Sequence, residues 1–475
     1  MHSFLASSIL LGQLLLTLPF AAALTVDPND ANSLKSAAST AAASAVNYYN
    51  NRESKLIPGK FDGTWWEGGA FFTFLINYWH WTGDDQYNDL VTEGLSWQGG
   101  EDNDFFPSNY SSYLGNDDQE FWALAALTAI EQKFPDNPGH ASWLSLAQGA
   151  FNDFVARWEV DKSSCGGGLR WQLYPTLAGY DSKNAISNGA FFQIAARLAR
   201  YTNNDTYATW AETVWDWSST VPLFDNSTWK IYDMTRISEN CKDQDIMQWS
   251  YNYGSYATGA AYMYNYTNGD PKWKEGVDGL LNTTWNEFFP SEYGGNILSE
   301  AACDPILTCN RDQVCFKGLM ANWLSTIALI VPYTSPTILP KLQGSAAAAG
   351  KQCSGPNSAC GMQWFNPTYD GTTAIEQEMS AMSIFANTLV AFATPSSTSS
   401  SSSSYSAPDT PAPVTANTGG NSTSNPTGGQ SNTGYQPPKQ MNITGGDRAG
   451  AAILTLVFAS AWIGMMVWLV LGGAN

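Results

Sequence analysis

The sequence predicts an all-α protein: an (α/α)6 toroid of six helical hairpins over residues 24–393, followed by a disordered stalk. Three observations carry this. Gly69–Thr82 aligns without gaps on Gly189–Thr202 and on Gly254–Thr267. Each segment is almost wholly apolar and runs into a polar turn with an aspartate, Asp85, Asp205 or Asp270, placed to cap a second helix. Apolar helices begin near 64, 118, 184, 250, 311 and 372, a spacing of about 60 residues. Amphipathic segments alternate with them, near 30–50, 84–95, 140–158, 205–219, 270–288 and 337–350. Helices apolar on all sides belong inside and amphipathic ones outside, so six such pairs close into a ring.

Taken in order, residues 1–23 read as a secretory signal, with an apolar run from Phe4 to Phe20 ending in Ala21-Ala22-Ala23, although no Lys or Arg precedes the run. The mature chain then begins at Leu24. Pro271 stands at a first helical position, where its missing N–H costs nothing. The fifth hairpin is the weak one, because Pro332, Pro336 and Pro340 crowd its turn and shorten its outer helix. The connections 97–116, 159–183, 221–248 and 288–310 are long, and all lead into inner-helix N-termini. Loops of that length are functional or carry short strands, so one end of the ring should hold a cleft.

After Ala393 the composition turns to Ser, Thr, Pro, Gly and Asn, which predicts a disordered, O-glycosylated stalk over 394–445. Ala451–Leu471 is a second apolar run, long enough to span a bilayer. No Lys or Arg follows it, and Gly445-Gly446 with a short polar spacer fits a GPI-attachment signal instead. Residues 446–475 would then be removed and the lipid attached at Gly445, with Gly446 and Asn442 as the other possible positions.

A net charge of −20 and a pI near 4.4 exclude a nucleic-acid partner, which needs clustered Lys and Arg. Twenty tryptophans against 22 Lys and Arg suit neutral partners. Seven cysteines in a secreted chain imply disulfides with one thiol left over. Cys353 and Cys360 can close a local loop and Cys165 can reach Cys241, while Cys303, Cys309 and Cys315 compete. Sequons at Asn109, Asn204, Asn226, Asn265, Asn282, Asn421 and Asn442 agree with secretion. Past the signal only His80 and His140 remain, which leaves no material for a Ser-His-Asp triad or a histidine metal site. No phosphate-binding or dinucleotide fingerprint is present, so neither metal nor cofactor is expected.

The chemistry concentrates at Asp117 and Asp118, adjacent carboxylates at the start of the Ala-rich run Phe121–Ile130. In a first helical turn, free N–H groups and the dipole favour one ionised carboxylate, while its neighbour makes a second ionisation harder. That separation suits a nucleophile beside an acid/base, and adjacent helical carboxyls approach the ~5–5.5 Å of retaining glycosidases. The spacings Asn116/Gln119 and Asp117/Glu120 also fit a capping box, which does no chemistry. The other inner-helix starts supply Trp65 and Trp66, Lys183, Asn184 and Asn188, Tyr251, Asn252 and Tyr253, and Arg311. Aromatic faces with amides and charges are how sugars are bound. A toroid with paired aspartates also suggests a terpenoid cyclase, but a secretory signal and a glycan-rich stalk argue against that.

Gly115-Asn-Asp-Asp-Gln119, Lys183-Asn-Ala-Ile-Ser-Asn188 and Trp249-Ser-Tyr-Asn-Tyr-Gly254 resemble the motifs of glycoside hydrolase family 76, the endo-α-1,6-mannanases. The order of signal, catalytic domain, stalk and GPI tail resembles the fungal cell-wall members of that family. The resemblance implies Asp117 as nucleophile and Asp118 as acid/base; Trp65, Trp66, Asn116, Lys183, Asn184, Asn188, Tyr251, Asn252, Tyr253 and Arg311 are the residues that the inner-helix starts offer to hold substrate. Tyr253 stands where bacterial members tend to have glutamine. The implied donor is α-1,6-mannan or the GPI-core glycan, the implied acceptor wall glucan, and the membrane contact the outer leaflet through GPI. The competing class is a catalytically silent mannan-binding wall protein.

Overall fold

A computed structural model describes residues 24–52, 56–61, 64–393, 408, 412–429 and 445–472. The signal segment 1–23 and the stalk outside 408 and 412–429 lie outside the described residues. The chain divides into two units, Met1–Tyr435 and Gln436–Asn475.

In the first unit the inner helices are α2 (Trp66–Thr82), α4 (Asn116–Glu131), α6 (Ala185–Thr202), α8 (Ser250–Tyr266), α10 (Arg311–Ile330) and α12 (Ile375–Thr388). The outer helices are α1 (Ala31–Asn50), α3 (Asn88–Gln98), α5 (Trp143–Val160), α7 (Asp205–Thr220), α9 (Pro271–Phe288) and α11 (Ser335–Gln352). Each inner helix packs on the next, and α12 returns to α2, which closes the ring. The N-terminal helix α1 covers α12, so the first and last hairpin positions complete each other.

The repeated glycine of the three aligned segments has a packing cause. A Cβ on Gly69 would lie 2.7 Å from the Phe121 backbone of α4, one on Gly189 2.7 Å from the Tyr256 ring of α8, and one on Gly254 2.3 Å from Trp323 of α10. In each case the missing side chain lets the neighbouring inner helix approach. At the far end of the ring, Arg197 of α6 donates to Glu131 of α4 (2.7 Å), and the Tyr262 hydroxyl of α8 donates to the same oxygen (2.7 Å). These buried polar groups tie three inner helices together.

Some local expectations change. Asp270 caps α9 by accepting from the Lys272 N–H, but α7 is capped by Asn204, with Asp205 its first residue, and Asp85 contributes only its carbonyl to the start of α3. The prolines do not shorten α11. Pro332 opens a 3-10 turn, Pro336 falls in the first helical turn, where the N–H is unpaired anyway, and the helix runs through Pro340 to Gln352. The long loops carry short strands: β1 (Ser182–Asn184) pairs antiparallel with β4 (Met234–Arg236), and β2 (Phe224–Asp225) with β3 (Lys230–Ile231). Disulfides join Cys165 to Cys241, Cys303 to Cys309 and Cys353 to Cys360, leaving Cys315 as a buried thiol.

Residues 412–429 depart from the expectation of a disordered stalk. The Val414 and Ala416 N–H groups donate to the carbonyls of Glu131 (2.9 Å) and Tyr201 (3.0 Å), near the ends of α4 and α6. Ser422 Oγ accepts from the Leu144 N–H (3.1 Å) at the start of α5, and Asn152 donates to the Gly428 carbonyl (2.8 Å). Helix ends leave donors and acceptors unpaired, and this strap supplies their partners, with the Val414 side chain buried beside them. Composition registers missing apolar residues but not waiting helix ends.

The second unit is described as one exposed helix, Gly445–Gly472. Within its stretch Arg448–Leu469, the most apolar 18-residue window has a mean hydropathy of 2.1. Twenty-two residues at 1.5 Å each give about 33 Å, enough to cross a bilayer core.

Hydrogen exchange on the intact chain checks the strap. The Val414 and Ala416 amides should be protected, and Val414→Asp, which places a charge at a site 3% exposed, should raise exchange across 412–429 by about tenfold or more, leaving α6 and α8 unchanged.

Candidate active site

All six inner helices start at the end of the ring that carries the long loops, and there the surface opens into a cleft of about 400 Å³. Asp117 and Asp118 line it from the first turn of α4. The turn is held open by Gly115, where a Cβ would stand 2.4 Å from Asp117 Oδ1 and 2.9 Å from the Trp171 carbonyl. The Gly115 N–H donates to Asp118 Oδ2 (2.6 Å), and the Asp118 N–H donates to Asp117 Oδ1 (3.0 Å). Asp118 therefore performs the capping contact while remaining in the cleft. The cap joins Gly115 to Asp118, not Asn116 to Gln119 or Asp117 to Glu120, and capping and a place in the cleft are not exclusive.

Burial is the first cause that raises both carboxyls. Asp118 is pushed up to about 7, with Asp312 adding to the rise and the Gly115 N–H opposing it. Asp117 is pushed well above the carboxylate range by burial and then by the Asp118 charge, against the Asp118 N–H and the Asn184 amide. Two carboxyls this close cannot both ionise cheaply, so the pair shares a proton in the neutral range.

The remaining wall is aromatic and acidic. Trp66 packs on Phe121 with ring centroids 4.6 Å apart and donates through Nε1 to Asp312 Oδ1 (3.0 Å). Trp65 also reaches the wall, but its ring is sandwiched between Tyr110 and Trp122. Tyr251 stacks on Phe316 at 3.7 Å, the two rings only 9° from parallel. Asp233 faces the cleft from the loop before β4; burial raises it to about 6, against the Asn252 amide that donates to it (3.2 Å).

Of the residues singled out in the sequence, Asp117, Asp118, Trp65, Trp66, Asn184 and Tyr251 line the cleft. Asn116, Lys183, Asn188 and Asn252 stand behind its wall, where they hold backbone or other side chains. Asn116 donates to the Arg170 carbonyl (2.7 Å) and accepts from Arg157 (2.9 Å), which fixes α4 to the loop carrying Trp171. Asn188 pairs with both backbone groups of Leu169. Lys183 is fully buried and donates to the carbonyls of Ser164 (2.7 Å), Gly167 and Gly168 (3.0 Å), with Asp161 at 3.1 Å.

Tyr253 and Arg311 do not line this cleft. Two residues on from Tyr251, the Tyr253 side chain points to the opposite side of α8. There it accepts from the Ile231 N–H (3.1 Å) and packs on Phe288. Arg311 is held by Glu67 (2.7 Å) and Glu376 (2.5 Å), and the neighbouring Asp312 enters the cleft in its place. The site gains an acid where a cation was expected. Sequence reasoning also missed Asp233, Trp171, Gln172 and Phe316, and gave no role to Trp249, which opens one of the motifs singled out. Asp312 was adjacent to a residue already chosen, whereas Asp233 and Trp171 lie on loops whose path carries no periodic signal. Among the described residues, the Cys303–Asp304–Cys309 cluster has the makings of a metal site, but its thiols form a disulfide and Asp304 pairs with Lys317 at 2.6 Å.

The scaffold role of Lys183 is checked by Lys183→Met, which leaves three carbonyls and Asp161 without their cation. Unfolding in denaturant should show a loss of about 3 kcal/mol. A substrate contact would instead weaken sugar binding at unchanged stability.

Comparison with known proteins agrees with this architecture. The sequence model of glycosyl hydrolase family 76 matches residues 33–400. The chain is 40% identical over 472 residues to mannan endo-1,6-alpha-mannosidase DCW1 of Saccharomyces cerevisiae, covering 97% of this chain and 98% of that one. The crystal structure of Dfg5 from Chaetomium thermophilum, in complex with glucosamine, superposes with a TM-score of 0.76 at 37% identity, over 85% of this chain and 97% of that one. An inactive variant of the alpha-1,6-mannanase GH76A of Salegentibacter sp., with two consecutive aspartates changed to asparagine and alpha-1,6-mannotriose bound, shares the fold. It has a TM-score of 0.60 at 16% identity, over 75% of this chain and 99% of that one. By the extent of the family match and the identity to the yeast protein, this chain belongs to glycosyl hydrolase family 76.

Proposed function

We propose that this glycoside hydrolase cleaves α-1,6-linked mannose glycans by a retaining mechanism and passes the glycosyl group to a sugar acceptor at the cell surface. The observation that carries the reading is the pair Asp117 and Asp118, side by side at an inner-helix N-terminus in an open, aromatic-walled cleft. The names of the similar yeast and Salegentibacter proteins supply the substrate class. In the Salegentibacter protein, the loss of activity on changing two consecutive aspartates supports their role.

Two donors, the Asp118 N–H and the Asn184 amide, face Asp117, against one, the Gly115 N–H, on Asp118. These donors favour charge on Asp117, but burial and the Asp118 charge raise Asp117 well above its usual range while Asp118 is raised to about 7, so in the free pair the proton rests on Asp117. With Asp117 as nucleophile, that proton passes to Asp118 when the glycan binds. Asp117 attacks the anomeric carbon, and the bond to the leaving oxygen breaks as Asp118 protonates that oxygen. Asp118 then takes the proton of an acceptor hydroxyl, whose oxygen bonds the anomeric carbon and releases Asp117. Water or a sugar can serve as acceptor. The Tyr251–Phe316 stack offers a flat face to a sugar, which favours transfer over hydrolysis. The donor in this reading is α-1,6-mannan or the GPI-core glycan, and the acceptor is wall glucan. The glucosamine complex of the Chaetomium relative is compatible with the GPI donor, whose core contains that sugar.

Purified enzyme incubated with a labelled α-1,6-mannoside and a β-glucan oligosaccharide should yield a joined product. Free mannosides alone at saturating acceptor would leave hydrolysis and remove transfer. Asp117→Asn and Asp118→Asn should each lose product by about 10³-fold or more, with thermal transitions within a few degrees of the parent.

The C-terminal helix is exposed and apolar enough to be a membrane segment. Our reading is that it directs GPI attachment at Gly445 and is then removed, which places the enzyme on the outer leaflet. Mass spectrometry of the mature C-terminus should find a lipid-linked Gly445. Recovery of peptides from 446–475 would make it a spanning helix.

A further inference from the structure

Glu120 lies three residues beyond Asp117 on α4, hence on a neighbouring face of the helix and one turn further into the ring. It is fully buried, and neither carboxyl oxygen has a hydrogen-bond partner among the described residues. A buried carboxyl without a partner is costly, and a leucine would fill the same space without that cost.

Its surroundings are polar in a way the fold does not require. Within the first two turns of α8 stand Ser255 and the Asn252 amide oxygen. Both are buried, and these atoms too have no protein partner among the described residues. Helix α6 packs on both α4 and α8, and Ser255 Oγ lies 3.1 Å from the place of a Cβ on Gly189 of α6. Unpartnered polar atoms of this kind hold buried water.

The charged and titratable groups facing Glu120 are Asp117 and Asp118 on its own helix, Arg157 of α5 and the Tyr256 phenol of α8. Helix α6 presents only uncharged groups at this level. Burial first, and then Asp117, push the Glu120 carboxyl well above its usual range, which favours its protonated form.

We propose that Glu120 is a positioning residue for Asp117: its carboxyl, one turn beneath on the same helix, donates a hydrogen bond through buried water to the Asp117 carboxylate. This rests on Asp117 as nucleophile. The bond would hold the attacking oxygen toward the cleft and favour its charge, and it would act on the chemical step, not on substrate binding.

The test is steady-state kinetics on α-1,6-mannoside across pH for Glu120→Gln and Glu120→Leu in the full chain. Glu120→Leu keeps the shape without the donor, and kcat should fall about 30-fold with KM within about twofold, as for loss of a hydrogen bond to a charge. Glu120→Gln keeps a neutral donor. It should recover kcat to within about threefold, with both limbs of the pH profile in place. An unchanged kcat in Glu120→Leu would overturn the proposal. So would a shift of both limbs to lower pH in Glu120→Gln, because that is what removing a negative charge does. If Glu120→Leu does not fold, the Glu120→Gln profile still decides. Trapping the parent with a 2-fluoro-mannosyl fluoride tests the nucleophile separately: a label on a residue other than Asp117 sinks that assignment, whatever the Glu120 kinetics give.

Discussion

Six helices can line one short axis only where their backbones come close, and here glycine provides the approach. Gly69, Gly189 and Gly254 each leave room for the next inner helix, and any Cβ would drive a ring or a backbone aside. Because the ring closes on these contacts, all six N-termini arrive at the same end. The unpaired N–H groups of several helices then face one cleft. That concentration of partial positive charge makes it tolerable to gather Asp117, Asp118, Asp233 and Asp312 in a single site.

The cleft is built in two depths. Residues at its surface offer aromatic faces and carboxyls, and residues behind them fix the backbone that presents those groups. Lys183, Asn188, Asn116 and Arg157 all serve the loop 164–172 or its join to α4, so the opposite wall at Trp171 is set by groups that never meet the cleft. Buried ionic and amide groups of this kind add little net stability, but they allow few alternative loop paths. A displaced Trp171 carbonyl would move Gly115 and with it the aspartates, since the Asn116 N–H donates to that carbonyl (2.9 Å).

The ring was legible in the sequence because its signal is periodic. Inner helices apolar on all sides and amphipathic outer ones recur at even intervals, and every inner start expected from that pattern falls within a few residues of the observed one. The acid pair was legible because two adjacent aspartates at a helix start have few other uses. What sequence cannot resolve is which face of a helix end looks into the cleft. Arg311 and Asp312 are neighbours, as are Tyr251 and Tyr253 at one remove, and a rotation of 100° or 200° decides which of them meets the cleft. Asp233 and Trp171 were hidden for another reason: their positions follow from strand pairing and a disulfide between distant loops. The strap at 412–429 was misjudged because composition measures what a segment can bury, whereas this one is held by hydrogen bonds to helix ends.

That strap also sets where mechanical load enters the enzyme. A pull transmitted along the chain from the C-terminal side meets Gly428 and Gly429 on α5 before it can reach Ala393 at the end of the ring. Hydrogen bonds spread along α5 and the ends of α4 and α6 would bear it together. Force applied from that side is therefore shared among several hydrogen bonds before it can disturb the helices that carry the aspartates.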